Sequence, residues 1–592
     1  MTFRFDEDGA NPVTPVVCNP IDLAYRYQDV RTPFAGRSVH REAADPTVVH
    51  YRGRYFMFAS MTRGFWHSED LVEWTLRRSD RIPAIDYAPD VREVDGALLF
   101  TASRRSKGRF FRSVDPLADD FEEVAPSDIA FWDPDTFQDD DGRLYLYWGC
   151  SHNQPIQGVE LDRETLQRMG DPVPLIAADT EMRGWERTGD DYVPVVRRGL
   201  TGKIMDAYIG DAPFIEGAYM NRVDGRYHLQ YSAPGTQFNT YADGCFVGSG
   251  PLGPFEYDPH SPFSSKPGGF ITGAGHGSTF QDRHGNWWHV ATMRVSANAD
   301  FERRIGLFPA GFDEDGVLFC NQNFADFPML VPDRPFDPWT ESSPGWMLLS
   351  HRAHATASSS LDGHAPALAV DESVRTWWVA GSGRPGEWLH VDLGAEATVH
   401  SLQVNLADHD LASRAPKLRD LGRATLGKRA VFPDSQPTEI RVELSLDGEA
   451  WETVHDTFGT GIDAPHAFVH LAEARRARFV RLTCGAMPFG GPAAVSGLRV
   501  FGIGDVARPV AVAATGERRD PRTASLRWSS APGAVGYNIR YGISPEKLYH
   551  SWLVYDRTDL EVGALNAGHP YWFAVDSFNE AGVTTGSAVR ID

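Results

Sequence analysis

Cysteine is scarce, with five in 592 residues. Cys18, Cys150, Cys245, Cys320 and Cys484 are far apart, odd in number and form no CxxC pair. Neither a disulfide framework nor a zinc site is implied, and most of them read as buried thiols. Long apolar runs are missing, since no window approaches the roughly 18 residues that a membrane helix needs. Positive charge is in deficit, with 57 Lys and Arg against 80 Asp and Glu and a net charge of −23. Such a surface repels phosphate backbones and anionic lipid, so neither nucleic acid nor a membrane is expected as a partner. The first residues, MTFRFDEDGANPVTP, lack an apolar core, so no signal peptide is expected. A cytoplasmic location follows as the expectation, or a secreted one if a leader has been removed. No segment shows a long helical period.

What is plentiful points elsewhere. Aromatics reach 12%, with 16 Trp, and there are 56 Gly and 40 Pro. That mix suits short strands and many turns. A turn glycine between aromatic-rich, strand-like runs recurs five times: YRGRYFMF at Gly53, VDGALLF at Gly96, DDGRLYLYW at Gly142, VDGRYHLQY at Gly225 and RHGNWWHV at Gly285. Each has the chemistry of a tight hairpin, with glycine supplying a positive φ. Spacing is unequal, which loops can absorb. The repeat predicts an all-β chain that opens with a five-bladed β-propeller of about four strands per blade. The composition then changes twice. Residues 1–338 read as the propeller, 339–505 as a β-sandwich and 506–592 as a second, smaller one.

Three acids in the propeller stand beside Pro or Gly at a strand entry: Asp45 in EAADPTVVHY, Asp133 in FWDPDTFQDDDG and Glu216 in PFIEGAY. The first strand of each propeller blade lines the central channel. Three carboxylates from three blades are therefore expected at one mouth. Crowded like charges cannot all ionise, a cost that chains accept at functional sites. Glu216 has apolar and small neighbours, so desolvation is expected to raise its pKa and suit it to donate a proton. Two carboxylates flanking a bond are what glycosidic cleavage needs, one as acid and one to activate water.

Residues 20–335 resemble glycoside hydrolase family 43. The resemblance rests on ADPTVVHYRGRYFMFAS, the SEDLVEW after it, DPDTFQDDDGRLYLYWG, EGAYMNRVDGRYHLQYS and GAGHGSTFQDRHGNWWHV. It implies Asp45 as general base, Glu216 as general acid and Asp133 as the residue that tunes and orients that acid. Asp135, its neighbour, is passed over in favour of the first Asp of DPxxF. It further implies inversion in one displacement across a carboxylate gap of roughly 6.5–9.5 Å. The chain departs from the family in reading EGA where EGP is frequent. His276, in a glycine-rich loop, is expected in the channel, contacting a sugar or holding a calcium ion through water. No cofactor is expected to be required, with structural calcium as the one candidate. Arg304, with Arg303 beside it as the alternative, resembles the family's late arginine that reaches sugar hydroxyls. Trp66 and Trp132 are candidates to stack on a sugar ring.

Residues 345–503 resemble a discoidin (coagulation factor 5/8 type C) domain through TWW, WLHVDLG, LSLDGEAW, FVRLTC and LRVFG. Trp377, Trp388 and Trp451 are expected in its core. Residues 507–592 resemble fibronectin type III, with Trp528 in LRW and the strand YWFAV. The expected activity is release of terminal furanosyl residues from oligosaccharide or polysaccharide side chains, foremost as an exo-acting α-L-arabinofuranosidase. A β-D-galactofuranosidase, a β-xylosidase or a galactosidase on the same scaffold is the alternative, and a non-catalytic lectin is the rival from another class. The sequence leaves sugar, linkage and oligomeric state open.

Overall fold

The computed structural model describes residues 14–592 apart from 33–35, 85, 105, 188, 190–213, 420–421 and 425–426. Five antiparallel sheets follow one another along the chain, each with its strands in sequence order. They run over residues 44–78, 90–126, 135–176, 216–257 and 272–320, and the fourth gains the short strand Ser264–Ser265. The first strand of each sheet packs against the first strand of the next, and the fifth returns to the first. This is the expected five-bladed propeller. Pairing of Val16–Val17 with Met329–Leu330 ties the two ends of the ring together.

The turn glycines fall where the sequence placed them. Arg52–Gly53, Asp95–Gly96 and Asp224–Gly225 each have two successive positive φ angles. That is the primed turn whose twist matches the flanking strands. Aromatics fill the wedges between blades. Phe56, Phe58, Phe65, Phe100 and Phe121 form one such cluster, and Tyr25, Trp66 and Trp288 belong to another.

Beyond the propeller lies an eight-stranded sheet running from Met347–Leu348 to Ala494–Gly504. Its longest strands, Glu387–Leu406 and His466–Cys484, pair with each other and carry a large apolar core. Trp378 is the tryptophan buried there, whereas Trp377, Trp388 and Trp451 are only half-buried, which corrects the expectation for those three. A third unit places a three-stranded sheet against a five-stranded one around Trp528. The longest α-helix among the described residues, Leu411–Arg414, has four residues, and no described helix is long and apolar enough to cross a membrane.

One sheet was not foreseen. The hairpin of Arg26–Thr32 and Gly36–Glu42 precedes the first blade. It pairs through Arg26–Thr32 with Gly427–Val431, a strand that the second unit sends across, and Gly422–Ala424 completes the sheet.

Candidate active site

The site begins with a shared backbone irregularity. In the first blade Ala44 pairs with Ser60 and Thr47 with Phe58, so one extra residue bulges from the inner strand, and Asp45 there has φ 53°. In the fourth blade Glu216 pairs with Ser232 and Tyr219 with Gln230, the same one-residue slip, with Gly217 at φ 63°. Asp133 has φ 52° just ahead of the third blade's inner strand, and His276 has φ 47° within a doubly bulged strand of the fifth. A bulge re-aims a side chain and ends regular pairing. Left-handed backbone at non-glycine residues is costly and collects at functional sites. Here Asp45, Asp133 and His276 adopt it on three blades, and Gly217 adds a left-handed glycine on a fourth.

The result is a cavity of about 1070 Å³ whose lining includes Asp45, Trp132, Asp133, Cys150, Glu216 and His276. His276 Nδ1 lies 3.5 Å from Asp45 Oδ1 and 3.9 Å from Asp133 Oδ2. Its loop is anchored by Asp243, which accepts the backbone N–H groups of His276 and Gly277 at 2.8 and 3.0 Å. Asp133, Cys150 and Glu216 offer polar atoms within 4.8 Å of one another. The Tyr241 hydroxyl donates to one Glu216 oxygen at 2.5 Å and the Cys150 thiol to the other at 3.2 Å. Asp45, which meets the same imidazole nitrogen as Asp133, accepts from Ser60 Oγ at 2.6 Å and from Arg303 Nη1 at 3.2 Å.

These surroundings split the carboxyl groups. Burial pushes Asp45 upward, but Arg303 and His276 outweigh it and hold the group below the usual carboxylate range. Asp133 is raised to about 7, first by burial and then, against the opposing pull of His276, by the charges of Glu216 and Asp45. Burial disfavours a charged His276, yet Asp45, Asp133 and Glu216 together raise its pKa. Burial and the neighbouring carboxylates hold Cys150 well above the usual thiol value, so it stays a donor.

Asp45, Asp133, Glu216, His276 and Trp132 come together in this cavity. Two expected site residues do not. Trp66 is wholly buried between blades, because it sits on the third strand of its blade, away from the channel. Arg304 is buried on the other face of its strand, where its Nε donates to His466 at 2.7 Å and its Nη1 to the Arg41 carbonyl at 3.0 Å. Neighbours on a strand point to opposite faces, so it is Arg303 that meets Asp45. Sequence reasoning missed Cys150, Tyr241, Asp243 and Glu42. Only Glu42, at the head of EAADPTVVHY, and Cys150, directly after DDGRLYLYWG, stand at a motif. Calcium takes six to eight oxygen ligands. The cluster of potential metal ligands among the described residues offers two carboxylates and a thiol, without His276, which fits calcium poorly.

Residues 38–318 match the model for glycosyl hydrolases family 43. That stretch, just under half of the chain, is similar to family 43. A beta-xylosidase of Xylanibacter ruminicola is 33% identical over 138 residues, which is 21% of this chain and 39% of that protein. The aligned part thus spans under half of this curated relative. Solved structures similar to the chain include a GH43 protein of Bacillus licheniformis, 17% identical with a TM-score of 0.40, covering 82% of this chain and 98% of that one. Another is an alpha-L-arabinofuranosidase of Clostridium thermocellum, 18% identical with a TM-score of 0.33, covering 47% of this chain and 93% of that one. The matched stretch holds all three acids, His276 and Arg303, but not Glu42's second arginine partner, Arg429.

Proposed function

We propose that the chain is an inverting glycoside hydrolase that uses Asp45 as general base and Glu216 as general acid, with Asp133 tuning that acid. The observation that carries this reading is the contrast between two carboxyl groups at His276. Asp45 is held ionised, while Asp133, clustered with Glu216, has a raised affinity for a proton. A base must be ionised to take a proton from water, and Arg303, Ser60 and Thr292 keep Asp45 so. An acid must bring a proton to the leaving oxygen. Asp133, beside Glu216, keeps its proton up to about pH 7. Glu216 receives hydrogen bonds from Tyr241 and Cys150 that fix its orientation. The mechanism requires no cofactor.

The proposed substrate is a terminal furanosyl residue of a glycan side chain, foremost α-L-arabinofuranose, removed by exo action. A wall of the cavity built by the second unit at Gly427, Lys428 and Arg429 supports action on short ends over long polymers. The β-xylosidase reading is the runner-up, favoured by the beta-xylosidase relative at 33% identity. The discoidin kinship of 339–505 and the fibronectin type III kinship of 506–592 belong to the same proposal, supported by their strand-rich, sandwich-like build.

The test is release of p-nitrophenol from α-L-arabinofuranoside, β-D-galactofuranoside, β-D-xylopyranoside and β-D-galactopyranoside. Asp45→Asn is expected to lower kcat by about 10²–10⁴-fold on whichever is cleaved. Glu216→Gln is expected to lose far more on an alkyl glycoside than on the activated aryl one. Equal losses on both would remove Glu216 from the acid role, and retention of configuration in the product would remove the inverting mechanism.

A further inference from the structure

The unforeseen sheet brings a charged side chain of the second unit to the centre of the propeller mouth. Arg429 lies on Gly427–Val431, paired opposite Val30. It is buried, and its Nη1 donates to Glu42 Oε2 at 2.8 Å. The other Glu42 oxygen accepts from Arg303 Nη2 at 2.6 Å and Nε at 3.2 Å. Arg303 Nη1 in turn reaches Asp45 Oδ1 at 3.2 Å. Four buried groups thus alternate in sign: Arg429, Glu42, Arg303, Asp45. The ring of Tyr87 lies beside both guanidinium groups, 5.1 Å from Arg429 Cζ and 5.8 Å from Arg303 Cζ.

We propose that Arg429 is a positioning residue for Asp45, acting through Glu42 and Arg303, so that the second unit is a working part of the catalytic centre and not only an appended module. The physical reason is charge balance among buried groups. Glu42 is fully buried and needs both oxygens satisfied. With Arg429 in place, each arginine answers for about one carboxylate. Without it, two buried anions compete for Arg303. The guanidinium is then drawn toward Glu42, and Asp45 loses orientation and the field that keeps it ionised. The other groups facing Asp45 are His276, Asp133, Glu216, Tyr87 and Tyr241, and those facing Arg429 are His40 and Tyr87. His276 adds positive charge at Asp45, whereas His40, 4.0 Å from Glu42 and lowered to about 4 by burial, stays neutral and does not replace Arg429.

The inference rests on the reading of Asp45 as the base, so its test has two readouts on the full chain. The first is the pH profile of kcat/KM on the glycoside that the wild type cleaves. The acid limb reports the base of the free enzyme. Arg429→Met is expected to move that limb upward by about one pH unit, a loss of about tenfold at a pH below it. Arg429→Lys is expected to restore the limb in part, because it returns the charge without the fork. Adding Arg429→Met to Glu42→Gln is expected to move the limb no further, since the link is already cut. The second readout is the ¹³C titration of the Asp45 carboxyl, assigned with Asp45→Asn, which needs no turnover. There too Arg429→Met is expected to raise the midpoint. If Arg429→Met does not fold, Arg429→Gln, which still donates one bond to Glu42, is read in the same way. A lowered kcat with both the limb and the Asp45 midpoint unmoved would leave Arg429 a structural role only and overturn the proposal. Absence of glycosidase activity in the wild type, with the midpoint shifted, would instead overturn the proposed function and leave the charge chain standing.

Discussion

Asp133 holds a proton to about pH 7 because it is buried beside Glu216 and within reach of Asp45's charge. A raised carboxyl has a consequence for stability as well as for chemistry. Its unfolded value is near 3.8, so between that value and about 7 the folded state binds the extra proton. The group's penalty is therefore absent at pH 3, grows as the pH rises and is complete above about 7. Asp133→Asn is expected to stabilise the fold by about 1–3 kcal/mol at pH 8 and by nothing at pH 3, read from denaturant melts. The same variant is expected to lose activity and to change the alkaline limb of kcat/KM, which in the wild type is expected to fall above about pH 7. A stability gain that is independent of pH would show that the carboxyl is not strained by its site.

At the scale of the element, the bulges on the inner strands place the site. Gly217 lies in the bulge that carries Glu216. Its φ of 63° suits glycine, and a Cβ there would stand 2.8 Å from His276 Cδ2 and 2.9 Å from Ser232 Oγ. An alanine costs about 1–2 kcal/mol for the left-handed backbone and forces the imidazole away from the carboxylates. Gly217→Ala is expected to cut kcat/KM by at least about tenfold, the equivalent of roughly 1.4 kcal/mol, with the far-ultraviolet dichroism unchanged. Full activity in that variant would mean that the approach of His276 to the bulge is not needed. The Asp-Pro and Glu-Gly pairs were legible as strand entries because Pro and Gly act on the backbone within a residue or two. Which way each side chain turned was not.

At the scale of the molecule, the three units share cores and buried charges. One apolar cluster draws Val16, Cys18 and Phe327 from the propeller, Trp346 and Phe501 from the second unit, and Leu553 and Phe578 from the third. Arg41 pairs with Asp463 at 2.6 Å across the first interface, with both side chains buried. Arg499 of the second unit joins Glu372 and donates to the Asp326 carbonyl, while Asp326 itself holds Lys266 at 2.9 Å. Buried pairs of this kind cannot be parted without leaving an uncompensated charge. Scanning calorimetry is accordingly expected to show one cooperative transition for all three units, although a chain of this length could melt in steps. Three resolved transitions would mean that these contacts do not couple the units.

The five hairpins, the all-β character and the strand entries at Asp45, Asp133 and Glu216 were written in the sequence, because turn glycines and alternating aromatics act through neighbours a few residues away. The tertiary structure alone decided that Arg303 and not Arg304 faces the channel, that Trp66 is interblade packing, and that Cys150 and Tyr241 hold Glu216. It alone decided that Arg429 reaches Glu42 across 387 positions of chain. A contact between such distant residues leaves no periodicity or spacing to read, because it is set by how whole sheets pack and not by what either residue's neighbours prefer.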